Sequence, residues 1–181
     1  MILPICTYGN AVLRKVCEPL PSDYPNLKEL IENMYETMYN ASGVGLAAPQ
    51  IGLSVRLLVI DLAPYKEDDV ELGAFKATMI NPQLLEASEE TVTDEEGCLS
   101  VPGIHENVSR SVKIKISYLD ENFNEHTEIF EGFKARVVQH EYDHIEGKIF
   151  TDKVSPLRRQ LMKSKLMNMA KGKFSCSYRT K

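Results

Sequence analysis

From Asn26 onward, Leu27, Leu30, Ile31, Met34, Tyr35 and Met38 recur at the three- and four-residue spacing of one helical face. Asn26 with Glu29 predicts a capping box at the start of this helix, and Gly43 lies just past its end. A small-residue loop follows, Gly43-Val44-Gly45-Leu46-Ala47-Ala48-Pro49-Gln50-Ile51-Gly52, and then residues 56–62 read as a buried strand. A second apolar run spans Met79 to Leu85, and an acidic stretch from Glu86 to Glu96 leads into Gly97-Cys98-Leu99-Ser100-Val101-Pro102-Gly103. Val112, Ile114, Ile116 and Tyr118 alternate with Lys113, Lys115 and Ser117, the period of a half-buried strand. The turn-rich segment Asp120 to Asn124 predicts a hairpin to residues 127–131. Phe133, Val137, His140 and His144 share the inward face of another helix, which Gly147 ends. Ser155 and Pro156 suit the N-cap and first position of a last helix running to about Ala170.

Several strands and three helices, without alternating βαβ units, predict an α+β fold: mixed or antiparallel sheets around a central helix, with an N-terminal and a C-terminal helix. At 181 residues and 43% hydrophobic content, one domain over residues 1–181 is the expectation. The first ten residues lack a basic and apolar leader, and charges break every apolar run well short of the ~20 residues a membrane helix needs. A cytoplasmic protein with no membrane partner is expected. Cys6, Cys17, Cys98 and Cys176 form no Cys-x-x-Cys pair, which predicts free thiols or a metal thiolate rather than disulfides. The net charge of −5 conceals an asymmetry: residues 153–181 carry nine Lys or Arg and no Asp or Glu. A basic terminal extension on an acidic body hints at an RNA or phosphate-rich partner.

The strongest chemical signal is Gln139-His140-Glu141-Tyr142-Asp143-His144. Histidines four apart on a helix project side by side and can share one ion, and Glu141 can take a proton from water activated there. Left unpaired in a core, the same residues would be expensive. A catalytic site of this kind wants a third protein ligand. Phe150 occupies the position where a metzincin carries its third histidine, and Asp152 is the one acidic residue after Glu146. The search therefore turns upstream to His105, His126 and the cysteines. Cys98 is the most attractive of these, because the neighbouring Gly97 permits close backbone approach.

Three segments, Gly43 to Gln50, Glu96 to Ser100 and Gln139 to His144, together resemble the motifs of the peptide deformylase family in their order, namely Gly-Φ-Gly-Φ-Ala-Ala-x-Gln, Glu-Gly-Cys-Leu-Ser and Gln-His-Glu-x-Asp-His. The resemblance extends from Ile2 to about Leu157. It implies a hydrolase that removes the formyl group from the initiator methionine of new polypeptides and releases formate. Cys98, His140 and His144 would ligate the metal, with Glu141 as general base and then acid. Gln50, through its side-chain amide, and Leu99, through its backbone N–H, would stabilise the oxyanion. The family implies Fe(II) in cells, with Zn, Ni or Co able to replace an oxygen-sensitive ferrous site in purified protein. Gly43 and Gly45 would let the substrate backbone pair as an added strand, and Val44, Leu46, Phe133 and Val137 are the expected apolar slot. Glu96 and Arg110 are expected to pair and brace the motif loops. His105 stands where some bacterial relatives carry an arginine, and the acidic insertion from Lys66 to Gly73 has no derived role. The last helix, with Arg158, Arg159, Lys163 and Lys165 around a stripe of Leu157, Leu161, Leu166 and Met169, resembles one by which some deformylases dock beside the ribosomal exit tunnel. No sequence-specific nucleic acid is expected. Two other readings compete: a zincin-like peptidase cutting internal amides, and a non-catalytic ribosome-associated module with a structural metal.

Overall fold

A computed structural model describes the whole chain, Met1–Lys181. Seven strands form two sheets. Strands β1 (Gly45–Ala47), β2 (Leu57–Asp61), β3 (Lys76–Ala87), β6 (Lys113–Leu119) and β7 (Glu125–Glu131) make a five-stranded sheet in the order β1-β2-β3-β6-β7. Strands β4 (Thr91–Gly97) and β5 (His105–Ser111) make a separate two-stranded sheet. Every strand pairing in both sheets is antiparallel, which narrows the expected mixed arrangement. The helices are α1 (Leu27–Asn40), α2 (Val70–Gly73), α3 (Gly132–Ile145) and α4 (Pro156–Ala170). The short α2 lies in the acidic insertion and raises the expected three helices to four. Its N-cap is Asp69, whose carboxylate accepts from the Leu72 N–H at 2.9 Å.

All five residues of β2 are buried because the strand has a helix on each side. Leu57 and Val59 pack with Ile31, Met34 and Met38 of α1. Leu58 and Ile60 face the other way and pack with Ala135, Val138 and Ile145 of α3. A third cluster joins Val101, Val108, Ile149 and Phe150 to Met162, Leu166 and Met169 of α4. The helix carrying both histidines is thus central, as the shared face with Val137 predicts.

Three local expectations are corrected. The Asn26 and Glu29 capping box does not form: Asn26 adopts a left-handed conformation with φ of 55°, and its side chain makes no cap hydrogen bond. The acidic residues before Glu96 are not merely a lead-in but strand β4, whose side chains are exposed except for Glu96. On α4 the buried stripe is Met162, Leu166 and Met169, while Leu157 and Leu161 are 68% and 64% exposed. Helix α4 starts at Pro156 with Ser155 as its N-cap, as expected.

Gly147 ends α3 with φ of +71°, and a Cβ there would sit 2.7 Å from the Arg14 carbonyl oxygen. Both the left-handed conformation and the backbone contact oppose any side chain. Gly147→Ala should therefore lower unfolding free energy by about 1–3 kcal/mol in urea titration, and an unchanged midpoint would contradict this.

Candidate metal centre

Helix α3 delivers His140, Glu141 and His144, and the end of β4 delivers Cys98. The ligand atoms of Cys98, His140 and His144 all lie within 4.8 Å of one another, with the Cys98 Sγ 3.2 Å from the His144 Nε2. The two imidazole rings stand edge to face at 5.2 Å. The Phe150 ring stacks over His140, so the residue at the metzincin ligand position is a packing wall instead. His105 and His126 are not in the cluster. His105 packs against Gly97, and His126 bonds to Asp120 at 2.8 Å in the β6–β7 hairpin.

The two histidines have different surroundings. His140 Nδ1 is 3.1 Å from the Glu96 carboxylate. Burial alone would lower its pKa, but its hydrogen bonds with Cys98 and Glu96 outweigh this and hold it well up. His144 has no such partner, and burial with the nearby His140 holds its pKa well down. Its Nδ1 is buried without a hydrogen bond. One thiol and two imidazoles crowded together, with a buried ring nitrogen left unpartnered, suit a divalent metal of borderline softness, which takes both rings in their neutral form. The residues therefore fit the ion that the donor set implies.

Glu96 is the centre of a buried ionic network. Arg110 Nε donates to its two carboxylate oxygens at 2.9 and 3.0 Å, and Arg110 Nη1 donates to Asp143 at 2.7 Å. Arg136 adds a third cation at 3.4 Å and also donates to the carbonyls of Val108 and Val92. The expected Glu96–Arg110 pair is present, whereas the roles of Arg136 and Asp143 were missed. Charged residues on the inward side of an otherwise amphipathic helix were the available signal.

Glu141 is 4% exposed, and burial raises its pKa to about 7. Its Oε2 has no hydrogen-bond partner. A Cβ on Gly45 would meet its Oε1 at 2.3 Å, so only glycine leaves room for this carboxylate. Gln50 Oε1 accepts from the Ala47 N–H at 2.8 Å, which turns its Nε2 toward Ser100 Oγ at 3.1 Å and Cys98 Sγ at 3.6 Å. Ser100, fully buried, is another residue the sequence did not single out. The Leu99 N–H donates to no acceptor in the protein.

These groups open onto a cleft of about 580 Å³. Gly43, Val44, Gly45, Phe133 and Val137 line it, together with Tyr65. Leu46 does not, and that expectation is corrected: on β1 its side chain points opposite to Gly45 and packs fully buried under α1. Strand β1 is an edge strand, bonded only to β2. Asp61 N–H donates to the Val44 carbonyl at 2.9 Å. Antiparallel alternation then turns the Gly45 N–H and C=O away from β2, toward the cleft.

Two substitutions test this geometry. Cys98→Ala should reduce divalent metal retained after dialysis from stoichiometric to trace, read by elemental analysis. Arg110→Ala leaves the buried Glu96 and the half-buried Asp143 without their shared cation and should lower unfolding free energy by about 3–5 kcal/mol. Unchanged stability and metal content would remove the bracing role.

The Polypeptide deformylase family model matches residues 2–160. The peptide deformylase of Flavobacterium psychrophilum is 53% identical, with 100% of this chain and 97% of that protein covered. That of Christiangramia forsetii is 52% identical, covering 99% and 95%. Among solved structures, a peptide deformylase from Thermus thermophilus superposes with a TM-score of 0.84 at 38% identity, covering 95% of this chain and 99% of that one. One from Legionella pneumophila gives 0.81 at 38%, covering 94% and 96%.

Proposed function

The chain belongs to the polypeptide deformylase family, and from that premise we propose how its own residues carry out metal-dependent removal of the N-formyl group from nascent peptides. The observation that carries the reading is the convergence of Cys98, His140 and His144 beside a buried, unpaired Glu141 carboxylate. Cys98, His140 and His144 hold one divalent ion, Fe(II) in cells, with Zn, Ni or Co able to replace it in purified protein. When bound, the ion supplies Lewis-acid polarisation of the formyl group and lowers the pKa of water toward neutrality.

The peptide enters as an added strand along the free edge at Gly43 and Gly45, which reads backbone more than sequence. Its methionine side chain lies among Val44, Phe133 and Val137. Glu141 takes the proton of the attacking water and passes it to the departing amine, giving formate and a free amino terminus. A carboxyl held near neutrality by burial is well matched to both transfers. The Gln50 amide and the Leu99 N–H donate to the oxyanion, each worth roughly 3–4 kcal/mol in comparable sites. Three protein donors in one cluster favour this open site over a structural one, which would close with a fourth.

Three settings complete the reading. Residues 1–181 form one catalytic domain with a basic C-terminal helix and tail. The protein works in the bacterial cytosol, and no helix is long and apolar enough to cross a membrane. Helix α4 docks near the ribosomal exit tunnel, where the substrate emerges. What supports this is exposed Leu157, Leu161, Lys163 and Lys165 on a helix without acidic residues. Arg158 and Arg159 are less available, since they engage Glu106 and the carbonyls of Thr151 and Asp152.

Formate release from a formyl-Met tripeptide, with the acetyl analogue as control, tests the activity. Glu141→Ala should cut kcat about a thousandfold at equal metal content; retained activity, or cleavage of internal amides, would overturn the assignment. Lys163→Glu combined with Lys165→Glu should weaken salt-sensitive co-sedimentation with ribosomes, and equal binding would refute the docking surface.

A further inference from the structure

The C-terminal tail beyond α4 lies outside the residues 2–160 that match the family model, yet it reaches the catalytic cleft. Phe174, Cys176, Tyr178 and Thr180 are half-buried while Ser175, Ser177 and Arg179 are exposed, the period of an extended segment laid on the body. It is fastened there by backbone bonds: Ile5 N–H to the Arg179 carbonyl and Lys181 N–H to the Ile5 carbonyl, both at 2.9 Å. The Lys181 ammonium also donates to the Ile51 carbonyl at 3.0 Å.

Within the cleft, Tyr178 donates its hydroxyl to the Leu99 carbonyl at 2.7 Å. Burial pushes the phenol pKa up, with Cys176 and Cys98 adding in the same direction, so the hydroxyl remains a donor. The acceptor occupies a particular place. Val101 N–H bonds to the Cys98 carbonyl at 2.9 Å, making Leu99 and Ser100 the central residues of a turn. Type I and type II turns differ by a flip of the central peptide, and the Leu99 carbonyl belongs to that peptide. The free Leu99 N–H lies on the preceding peptide of the same turn, one Cα away, and Ser100 Oγ, beyond the central peptide, accepts from Gln50 Nε2.

We propose that Tyr178 is a positioning residue for deformylation: its hydroxyl fixes the Cys98–Val101 turn, and through it the Leu99 and Gln50 donors that face the oxyanion. The inference rests on the roles given above to those two donors. Tyr178 lies outside the Cys98, His140 and His144 cluster. It acts by selecting one turn geometry and so lowers the cost of presenting the donors.

Tyr178→Phe removes only the oxygen. At matched metal content, kcat for formate release from a formyl-Met tripeptide should fall about fivefold, with KM within about twofold. In a Gln50→Ala background the same change should cost less than about twofold, because both substitutions act on one set of donors. A wild-type kcat in Tyr178→Phe, a change confined to KM, or the same loss in both backgrounds would overturn the proposal. Absence of formate release by the unmodified protein would instead overturn the functional reading on which it stands.

Discussion

The placement of Cys98 against His140 and His144 depends on the buried Glu96 carboxylate. Strands β4 and β5 form a two-stranded sheet that is not part of the five-stranded one, and an isolated hairpin of that size is marginal in water. Cys98 follows directly on this hairpin, so its distance from His140 and His144 is set by whatever holds the hairpin to α3. Arg136 of α3 supplies part of the attachment by donating to the Val108 and Val92 carbonyls. Direction comes from Glu96, which binds Arg110 of its own hairpin and His140 of the helix, while Arg110 reaches on to Asp143. Buried ion pairs add little net stability once desolvation is counted. Their value here is geometric, since each charge accepts only a few arrangements of its partners.

The same carboxylate distinguishes the two histidines. A hydrogen bond at Nδ1 orients the His140 ring and leaves its Nε2 as the atom free to act as a donor. His144 receives no such support and is positioned by burial on α3 and by closeness to Cys98. Glu141 lies between these residues in sequence but meets a different wall, the bare backbone of Gly45. Gly45 thereby serves two ends at once: it leaves space for the carboxylate and presents an unpaired N–H and C=O on the edge strand. A side chain at this position would displace the Glu141 carboxylate and cover the unpaired edge together.

Much of this was legible in the sequence where chemistry and periodicity coincide. The spacing of Phe133, Val137, His140 and His144 gave the central helix, and the alternation from Val112 to Tyr118 gave β6. Strand β4 was hidden because its outward residues are Glu, Asp and Thr, and its conformation comes from pairing with β5 rather than from an apolar face. Leu46 was assigned to the cleft because the Gly43 to Gln50 segment reads as a loop; once Gly45–Ala47 is a strand, a shift of one residue reverses the face. The stripe on α4 failed similarly, since Leu157 and Leu161 lie one turn apart, as core residues do, and are nonetheless exposed. The Asn26 cap failed because the chain enters α1 through a left-handed residue, which composition does not reveal.

The N-terminal segment ties the Gln50 and Ser100 side of the site together in a way no motif indicates. Cys6 N–H bonds to the Gln50 carbonyl at 2.7 Å and Tyr8 N–H to the Ser100 carbonyl at 2.8 Å, so one short stretch holds the backbones of two distant motifs. Its other edge, through Ile5 and Thr7, binds the C-terminal tail. Gln50, Ser100 and Tyr178 are therefore linked through a single extended strap, while α3 and the Glu96 network hold His140, Glu141 and His144. The site divides into two mechanically distinct halves that meet at Cys98 and Leu99. Cys98 Sγ lies beside His144 and the Leu99 carbonyl meets Tyr178 of the tail, so the two halves are joined by a single peptide bond.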